Sequence, residues 1–222
     1  MRGRGIVFID DDEEPVPCWL DELLRVRSMS GADAVIGPVE PRFPRDAPPW
    51  LVQSGFYELP RHADGARLEE GITGNALLDA AALRRLGLSF STALALCGGE
   101  DQLFFRGWFK RGGSICYAAK AVCHESVAAE RLSHRYVLRR QFRKGNSLSI
   151  CDLVLAPSPT RLLARAAKGL TRSVGGVLMV PFFGLLRGRV GLLRAACISA
   201  RGMGMLAGLI GYRYREYRRP SA

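Results

Sequence analysis

Short apolar runs alternate with helical patterns of apolar residues over the first half of the chain. The pattern predicts four strands, at 6–9, 34–37, 73–78 and 114–122. It predicts three helices, at 17–28, at 79–86 closed by Gly87, and at 100–111 after two glycines. Six prolines between 38 and 60 predict a long loop. Strands that alternate with helices indicate an α/β fold.

The pattern changes near residue 133. An arginine-rich helix is predicted at 136–143, and prolines at 157 and 159 predict a linker. The segment 174–186 then has thirteen uncharged residues, and arginines interrupt the apolar stretches around it. No apolar run therefore reaches the eighteen residues that a membrane-spanning helix needs. We therefore expect helices that lie in a membrane interface rather than one that spans it. This division predicts an α/β domain at 1–150 and a helical tail at 151–222.

Charge separates the same two parts. The 222 residues carry a formal net charge of +11, and residues 131–222 contain 18 Lys and Arg against 2 Asp and Glu. An acidic first part is suited to a bound cation, and a basic, apolar tail is suited to an anionic partner such as a membrane surface. The six cysteines form no CxxC pair, which argues against a zinc ribbon or a disulfide scaffold.

Three aspartates follow the first predicted strand. In an extended stretch Asp10 and Asp12 point to one side and Asp11 to the other. In open α/β sheets the carboxyl ends of strands are where ligands bind, and carboxylate oxygens suit Mg²⁺ or Mn²⁺. The alternative is an acidic loop that caps the following helix.

Two further groups follow predicted element ends. Glu100 and Asp101 begin a helix after two glycines, where a carboxylate is placed to accept a proton from an attacking hydroxyl, or simply to cap the helix. His124 is expected just past the strand that ends at residue 122, and its spacing from the cysteines fits no zinc pattern. A single histidine of this kind is usually structural, but its place at a strand end puts it with the two acidic groups.

Taken in order, these motifs resemble a known family. They are Phe8-Ile9-Asp10-Asp11-Asp12-Glu13, Thr73-Gly74-Asn75, Gly98-Gly99-Glu100-Asp101, Arg106, Gly112-Gly113, His124 and Arg139-Arg140-x-x-Arg143-x-Gly145-x-Ser147. Over residues 3–147 the chain is similar to glycosyltransferase family 2, and within it to the bacterial exopolysaccharide enzymes of the succinoglycan type. The resemblance implies a Rossmann-like GT-A fold and inverting transfer of a sugar from a nucleotide-sugar donor.

The resemblance also implies how the donor is held. Asp10 would contact the nucleotide, and Asp12 of this DXD motif would hold Mg²⁺ or Mn²⁺ against the diphosphate. His124 is similar to a histidine that some members use as a further metal ligand. Arg140 and Arg143 are similar to a basic helix that closes over the diphosphate, with guanidinium groups that match phosphate oxygens.

For the acceptor, the resemblance implies that Asp101 is the general base and that Glu100 orients the acceptor. Asn75 falls where the family lines its acceptor and donor-sugar site. The expected partners are a UDP-linked sugar and a lipid-linked or glycan acceptor, with no nucleic acid. The expected location is the cytoplasmic face of the inner or plasma membrane, as a peripheral or monotopic protein.

One feature departs from the family pattern. Only one predicted strand precedes Asp10, so we expect the GT-A lobe to lack its first strand–helix–strand units, which would grip the nucleotide base. A catalytically inactive, truncated membrane-surface or scaffold protein is therefore the rival hypothesis. Nucleic-acid binding through the arginines and tyrosines of 131–222 is a third possibility, which the apolar content of 174–210 disfavours.

Overall fold

The structure is a computed structural model that describes residues 4–91, 98–155 and 157–215. Its strands are β1 (Gly5–Ile9), β2 (Glu13–Pro15), β3 (Ala34–Ile36), β4 (Val39–Arg42), β5 (Arg67–Leu68), β6 (Asn75–Asp79), β7 (Ile115–Tyr117) and β8 (Cys123–Ser126). Its helices are α1 (Trp19–Ser30), α2 (Pro49–Val52), α3 (Ala80–Leu86), α4 (Glu100–Lys110), α5 (His134–Leu155), α6 (Pro159–Leu178) and α7 (Val180–Leu209), with a short 3-10 helix at Ala129–Arg131.

The chain folds into two compact units. The first comprises residues 1–47, 55–90 and 101–128, and the second comprises 48–54, 91–100 and 129–222. The strands listed above belong to the first unit, and α5, α6 and α7 belong to the second. Helix α5 runs across residue 150, and the division into domains at that residue stays a prediction.

A five-stranded sheet in the order β1-β6-β3-β7-β5 forms the centre of the first unit. Strands β1, β3 and β7 run in one direction, and β6 lies antiparallel between β1 and β3. The carboxyl ends of these three strands, at Ile9, Ile36 and Tyr117, therefore reach the same edge of the sheet. This is the edge at which open α/β sheets bind ligands.

The sheet is covered by helices on both faces. Alternate strand residues, among them Ile36 and Leu78, pack with Phe105 and Trp108 of α4 and with α3. The intervening residues Val35 and Leu77 pack on the other face with α1. The alternation of buried side chains thus produces a three-layer arrangement, which confirms the predicted α/β class.

Strand β1 is less buried than the sequence predicts. It lies at one edge of the sheet, and its side chains alternate between exposed and half-buried. Val7 and Ile9 are 38% and 40% exposed, whereas Phe8 packs against the core on the side of α3 and α4. The uninterrupted apolar run at residues 6–9 predicts a buried strand, and this prediction is wrong because only one face of β1 is covered.

A second, three-stranded sheet in the order β2-β8-β4 continues from the ligand-binding edge. Strands β1, β3 and β7 lead into β2, β4 and β8, respectively. The long loop predicted from the prolines therefore contains β4, in which Pro41 pairs with Glu125, and the short helix α2. His124 lies inside β8 rather than past the end of a strand, so that part of the prediction is also wrong.

Helix α3 begins and ends as predicted. Asp79 has extended backbone angles, and its Oδ1 accepts hydrogen bonds from the backbone N–H groups of Ala81 and Ala82, each at 2.8 Å. Gly87 ends the helix in the left-handed conformation. Both features depend on residues within four positions of the helix end, which explains why the sequence alone locates this helix.

The second unit is built from three long helices that contact one another closely. Added Cβ atoms at Gly145 of α5 and Gly204 of α7 would meet backbone oxygens of the facing helix, at Arg201 and Phe142 respectively. Gly176 of α6 similarly faces Ser199 of α7: a Cβ on Gly176 would clash with the hydroxyl and the backbone of Ser199. Glycines therefore allow α7 to pack against both α5 and α6.

Helix α7 contains a reversal at Gly188, whose backbone angles (φ 53°, ψ −136°) are not helical. Residues on its two sides approach one another: a Cβ on Gly184 would lie 2.9 Å from Leu192. By length and composition alone, Val180–Leu209 is the one helix among the described residues that is suited to cross a membrane, and half of its most apolar window is buried. The sequence pattern predicts short interfacial helices in this region instead of one long apolar helix.

Candidate functional site

The acidic residues after β1 form a closed turn. The backbone N–H of Glu13 donates to the carbonyl oxygen of Asp10 at 3.2 Å, and the Asp10 N–H donates to Oε2 of Glu13 at 3.3 Å. The turn is fastened to β8, because the Ser126 N–H donates to the carbonyl oxygen of Asp12 at 2.9 Å. Asp10 is exposed and Asp12 is half-buried, so both are within reach of a ligand at this edge.

Glu13 is the most perturbed carboxyl group of this turn. Burial, opposed by the hydrogen bond from the Asp10 N–H and assisted by the charges of Asp10, Glu125 and Asp12, raises the pKa of Glu13 from 4.5 to about 8. Glu125 is its cross-strand neighbour in the β2–β8 pair. Burial is the main reason that the protonated form of Glu13 is favoured, and the like charges of its three carboxylate neighbours add to this effect.

Gly74 allows these carboxylates to lie against the start of β6. A Cβ on Gly74 would clash with Oε1 of Glu13 and would lie 3.2 Å from Oδ2 of Asp10. Gly74 is buried and directly precedes Asn75, which pairs with Ile9 at the end of β1. A side chain at this position would displace the acidic turn.

The structure corrects the role predicted for Asn75. Its side chain is fully buried, and its Nδ2 donates to the carbonyl oxygens of Pro38 at 2.9 Å and Ala121 at 2.6 Å. Its Oδ1 accepts a hydrogen bond from the indole N–H of Trp19 at 2.8 Å. These contacts hold the points at which β3 leads into β4 and β7 leads into β8, so Asn75 is a structural residue and its side chain is not open to a sugar.

His124 lies beside Glu14 and Glu40, whereas the sequence predicts that it joins Asp10 and Asp12. It pairs with Glu14 on one side and with Glu40 on the other, and its Nδ1 lies 4.0 Å from Oε2 of Glu40. Because side chains alternate along a strand, Glu125 points to the opposite face of β8 from His124. Glu40 also forms an ion pair with Arg61.

Over residues 4–91, 98–155 and 157–215, no three or more His, Cys, Asp or Glu side chains are arranged to hold a metal ion. The predicted ligand set of Asp10, Asp12 and His124 is thus not assembled as a protein-only site. The physical reason is the position of His124 within β8, where its partner is Glu40.

Asp101 lies in the first turn of α4, as predicted, and belongs to the first unit. Its Oδ1 accepts the backbone N–H of Gln102 at 2.6 Å. One helical turn further on, Phe105 would lie 3.0 Å from a Cβ on Gly71, and Arg106 forms an ion pair with Glu70 at 3.1 Å. Residues four apart share a helix face, so Asp101 is on the side of α4 that faces the segment leading to Gly74.

Glu100 and the two glycines before it belong to the second unit. Gly98 and Gly99 have φ values of 66° and 104°, a backbone conformation that favours glycine. The hydroxyl of Ser147 donates to the carbonyl oxygen of Gly98 at 2.9 Å, and Nη1 of Arg143 lies 2.9 Å from the position of a Cβ on Gly98. Oε2 of Glu100 is buried and has no hydrogen-bond partner among the residues that the structure describes.

These contacts account for the spacing of Arg143 and Ser147 in the predicted motif, since both side chains rise from one face of α5 against the glycine turn. Arg140 lies three residues before Arg143 on the same helix and is half-buried. The binding of a diphosphate by these two arginines stays a prediction.

Sequence reasoning did not single out Glu13 as a site residue. The available signal was its position three residues after Asp10, which is the spacing of a β-turn that closes on itself. The raised pKa of Glu13 could not be predicted in this way, because burial of the carboxyl group, its main cause, and the charge of Glu125 both arise only in the folded chain.

Sequence comparison identifies a relative that covers much of the chain. The succinoglycan biosynthesis protein ExoM of Rhizobium meliloti (strain 1021) is 37% identical over 172 residues, which are 77% of this chain and 52% of that protein. The chain therefore spans about half the length of this curated relative. No protein-family model matches the chain.

Crystal structures of S. aureus TarS 1-349 also show some likeness. The complex with UDP has a TM-score of 0.40 at 17% identity and covers 97% of this chain and 69% of the TarS chain. The complex with UDP-GlcNAc has a TM-score of 0.43 at 16% identity, with coverage of 97% and 70%. The similarity to ExoM confirms the resemblance to succinoglycan-type proteins that the sequence predicts.

Proposed function

We propose that the chain carries the catalytic residues of an inverting, metal-dependent glycosyltransferase. It would transfer a sugar from a nucleotide-sugar donor, which we expect to be UDP-linked, to a lipid-linked or surface-polysaccharide acceptor. The observation that carries this proposal is the acidic turn Asp10–Glu13 at the carboxyl edge of the sheet, in a chain 37% identical to a succinoglycan biosynthesis protein.

The carboxylates of the turn suit a divalent cation that also binds the donor. Mg²⁺ is usually held by one or two carboxylates together with substrate phosphates, so a group of three protein ligands is not required. Asp12 would be the metal ligand and Asp10 would contact the nucleotide, and the missing side chain at Gly74 leaves space for this arrangement. When bound, the metal would neutralise the charge that develops on the departing nucleoside diphosphate.

Asp101 would remove the proton from the acceptor hydroxyl as the oxygen attacks the anomeric carbon. A single displacement of this kind breaks the bond to the diphosphate from the opposite side, so the configuration inverts and no covalent intermediate forms. The position of Asp101 on the face of α4 that points toward residues 70–74 supports this role. Glu100, whose buried Oε2 has no partner within residues 4–91, 98–155 and 157–215, would orient the acceptor.

The resemblance also gives the donor diphosphate two basic contacts. Arg140 and Arg143 of α5 would contribute positive charge to the donor diphosphate. The excess of basic residues in 131–222 supports action at an anionic membrane surface, which we expect to be the cytoplasmic face. A protein anchored there would meet lipid-linked acceptors.

The test compares three variants of the full chain with Mn²⁺ and UDP-linked sugars. Asp101→Asn should lower the transfer rate by roughly 10²- to 10⁴-fold while donor binding is retained, because only the base is lost. Asp12→Ala should abolish both the metal dependence and the activity. Asp21→Asn is the matched control, since Asp21 is an exposed carboxylate in the first turn of α1.

Normal transfer by Asp101→Asn would show that another group is the base. A folded wild-type protein that neither hydrolyses nor transfers any nucleotide-sugar, with or without Mn²⁺, would contradict the enzyme proposal and favour the scaffold hypothesis.

A further inference from the structure

The arm formed by α6 and the first part of α7 is apolar on the side that faces away from its neighbour. Beyond Met179, which keeps helical backbone angles, the arm continues to residue 187 and reverses at Gly188. The returning part of α7 lies antiparallel to it, since Gly169 faces Leu206 and Gly176 faces Ser199. Glycines thus occupy the packed side of the arm.

The outer side of the arm carries large exposed side chains. Most of them are spaced by three, four or seven residues, which places them along one broad stripe of the helix. They are Leu163, Leu170, Val177, Leu178, Phe182 and Leu185, each between 57% and 88% exposed. By contrast, only Gly169 and Gly176 of α6 are buried. A contiguous stripe of this kind marks an interaction surface, whereas single exposed apolar residues do not.

Positive charge accompanies the apolar stripe. Arg161, Arg165, Lys168 and Arg172 are also spaced by three, four and seven residues, which places them on a different side of α6 from the stripe. No Asp or Glu occurs between residues 153 and 215, so this charge has little local compensation; Arg165 is paired with Asp152 at 2.6 Å. A helix with one apolar side and one basic side is typical of segments that lie in the interface of an anionic membrane.

The packing of α7 argues against the alternative that this helix spans the bilayer. Its helical path is interrupted at Gly188, with Arg187 and Arg189 exposed on both sides of the reversal. The remaining part is held between α5 and α6 by the glycine contacts at Gly145, Gly176 and Gly204. Half of its most apolar window is buried inside the protein, as expected for a core helix.

We propose that the outer side of α6, continued to residue 187, lies flat on an anionic lipid bilayer, so that the protein is held in one leaflet without crossing it. The stripe from Leu163 to Leu185 would enter the boundary between head groups and acyl chains. Arginine and lysine side chains of the same helix would reach the lipid phosphates. This inference refines the membrane location proposed above, and it does not depend on sugar transfer.

The test measures binding of the full chain to vesicles of phosphatidylcholine with phosphatidylglycerol and to vesicles of phosphatidylcholine alone. The wild-type protein should bind the anionic vesicles more tightly, and added salt should weaken that binding. The double variant Leu178→Glu/Leu185→Glu should reduce the partition coefficient roughly tenfold or more, because two apolar side chains no longer enter the lipid. Met29→Glu, at an exposed methionine of α1, is the matched control and should bind as the wild type does.

A second variant tests the charge. Lys168→Glu/Arg172→Glu should lower the affinity for anionic vesicles by roughly fivefold or more per residue and leave the weak binding to neutral vesicles unchanged. All of these side chains are exposed or half-buried, and unchanged circular dichroism would verify that the helices remain folded.

Wild-type binding by Leu178→Glu/Leu185→Glu would overturn the proposal. A second outcome would also overturn it: the wild-type protein binds neither kind of vesicle and forms a dimer that this double variant dissociates. A second copy of the chain would then cover the stripe. Loss of vesicle binding in a variant that still transfers sugar to a soluble acceptor would separate this inference from the proposed enzymatic activity.

Discussion

Replacement of Asn75 by Ala should destabilise the first unit by about 3 kcal/mol. The side chain makes three hydrogen bonds, to Pro38, Ala121 and Trp19, at distances between 2.6 and 2.9 Å. Each is worth about 1 kcal/mol in net stability, and the sum is a lower bound because two buried carbonyl oxygens would lose a partner. The free energy of unfolding of the first unit should therefore fall by at least this amount.

Denaturation in urea, followed by tryptophan fluorescence, measures this loss, since Trp19 is one of the three hydrogen-bond partners of the Asn75 side chain. Asn75→Asp is the matched variant. It preserves the shape and the acceptor for Trp19 but removes both amide donors, and at neutral pH it should be at least as destabilising as Asn75→Ala. A loss below about 1 kcal/mol in both variants, together with weaker binding of the nucleotide-sugar, would refute the structural role and restore a contact with the sugar.

Two further predictions concern helices. Asp79→Ala should lower the free energy of unfolding by about 1 kcal/mol because the cap of α3 is lost. Hydrogen bonds from the backbone N–H groups of Ala82 and Ala81 and the charge of Arg27 hold the pKa of Asp79 below 3.8, so the difference from wild type should be full above pH 3.8 and disappear in more acidic solution. A difference that grew on acidification would contradict this prediction. Gly145→Ala should lower the free energy of unfolding of the second unit by about 1–3 kcal/mol, because the new Cβ meets the backbone of α7. Gly175→Ala is the matched variant and should raise this free energy by about 0.5–1 kcal/mol, because Gly175 has open space around it. If thermal denaturation showed that both variants are stabilised, helix propensity would outweigh the packing.

The sequence by itself determined the elements that depend on short-range interactions. Helix α3 is an example, because its cap and its terminating glycine lie within a few residues of the backbone groups they affect. The start of α4 directly after Gly98 and Gly99 and the acidic residues that follow β1 could be predicted for the same reason. The resemblance to succinoglycan-type proteins also came from residues that are read in order along the chain.

The tertiary structure decided which distant groups meet. Asn75 was predicted to face a sugar, but its partners are 37, 46 and 56 residues away in sequence, and only the pairing of the strands brings them around its amide group. The raised pKa of Glu13 and the placement of His124 beside Glu40 likewise depend on the register of β8.

The same distinction applies to the second unit. Composition predicted basic, apolar helices, but it could not separate the apolar side chains of α7 that other helices cover from those of α6 that remain exposed. That separation depends on the reversal at Gly188 and on close contacts between glycines and backbone in the facing helices. Hydrophobicity is a property of each residue, whereas burial depends on what packs against it, and this is why only the folded chain distinguishes a core helix from a surface that is available to lipid.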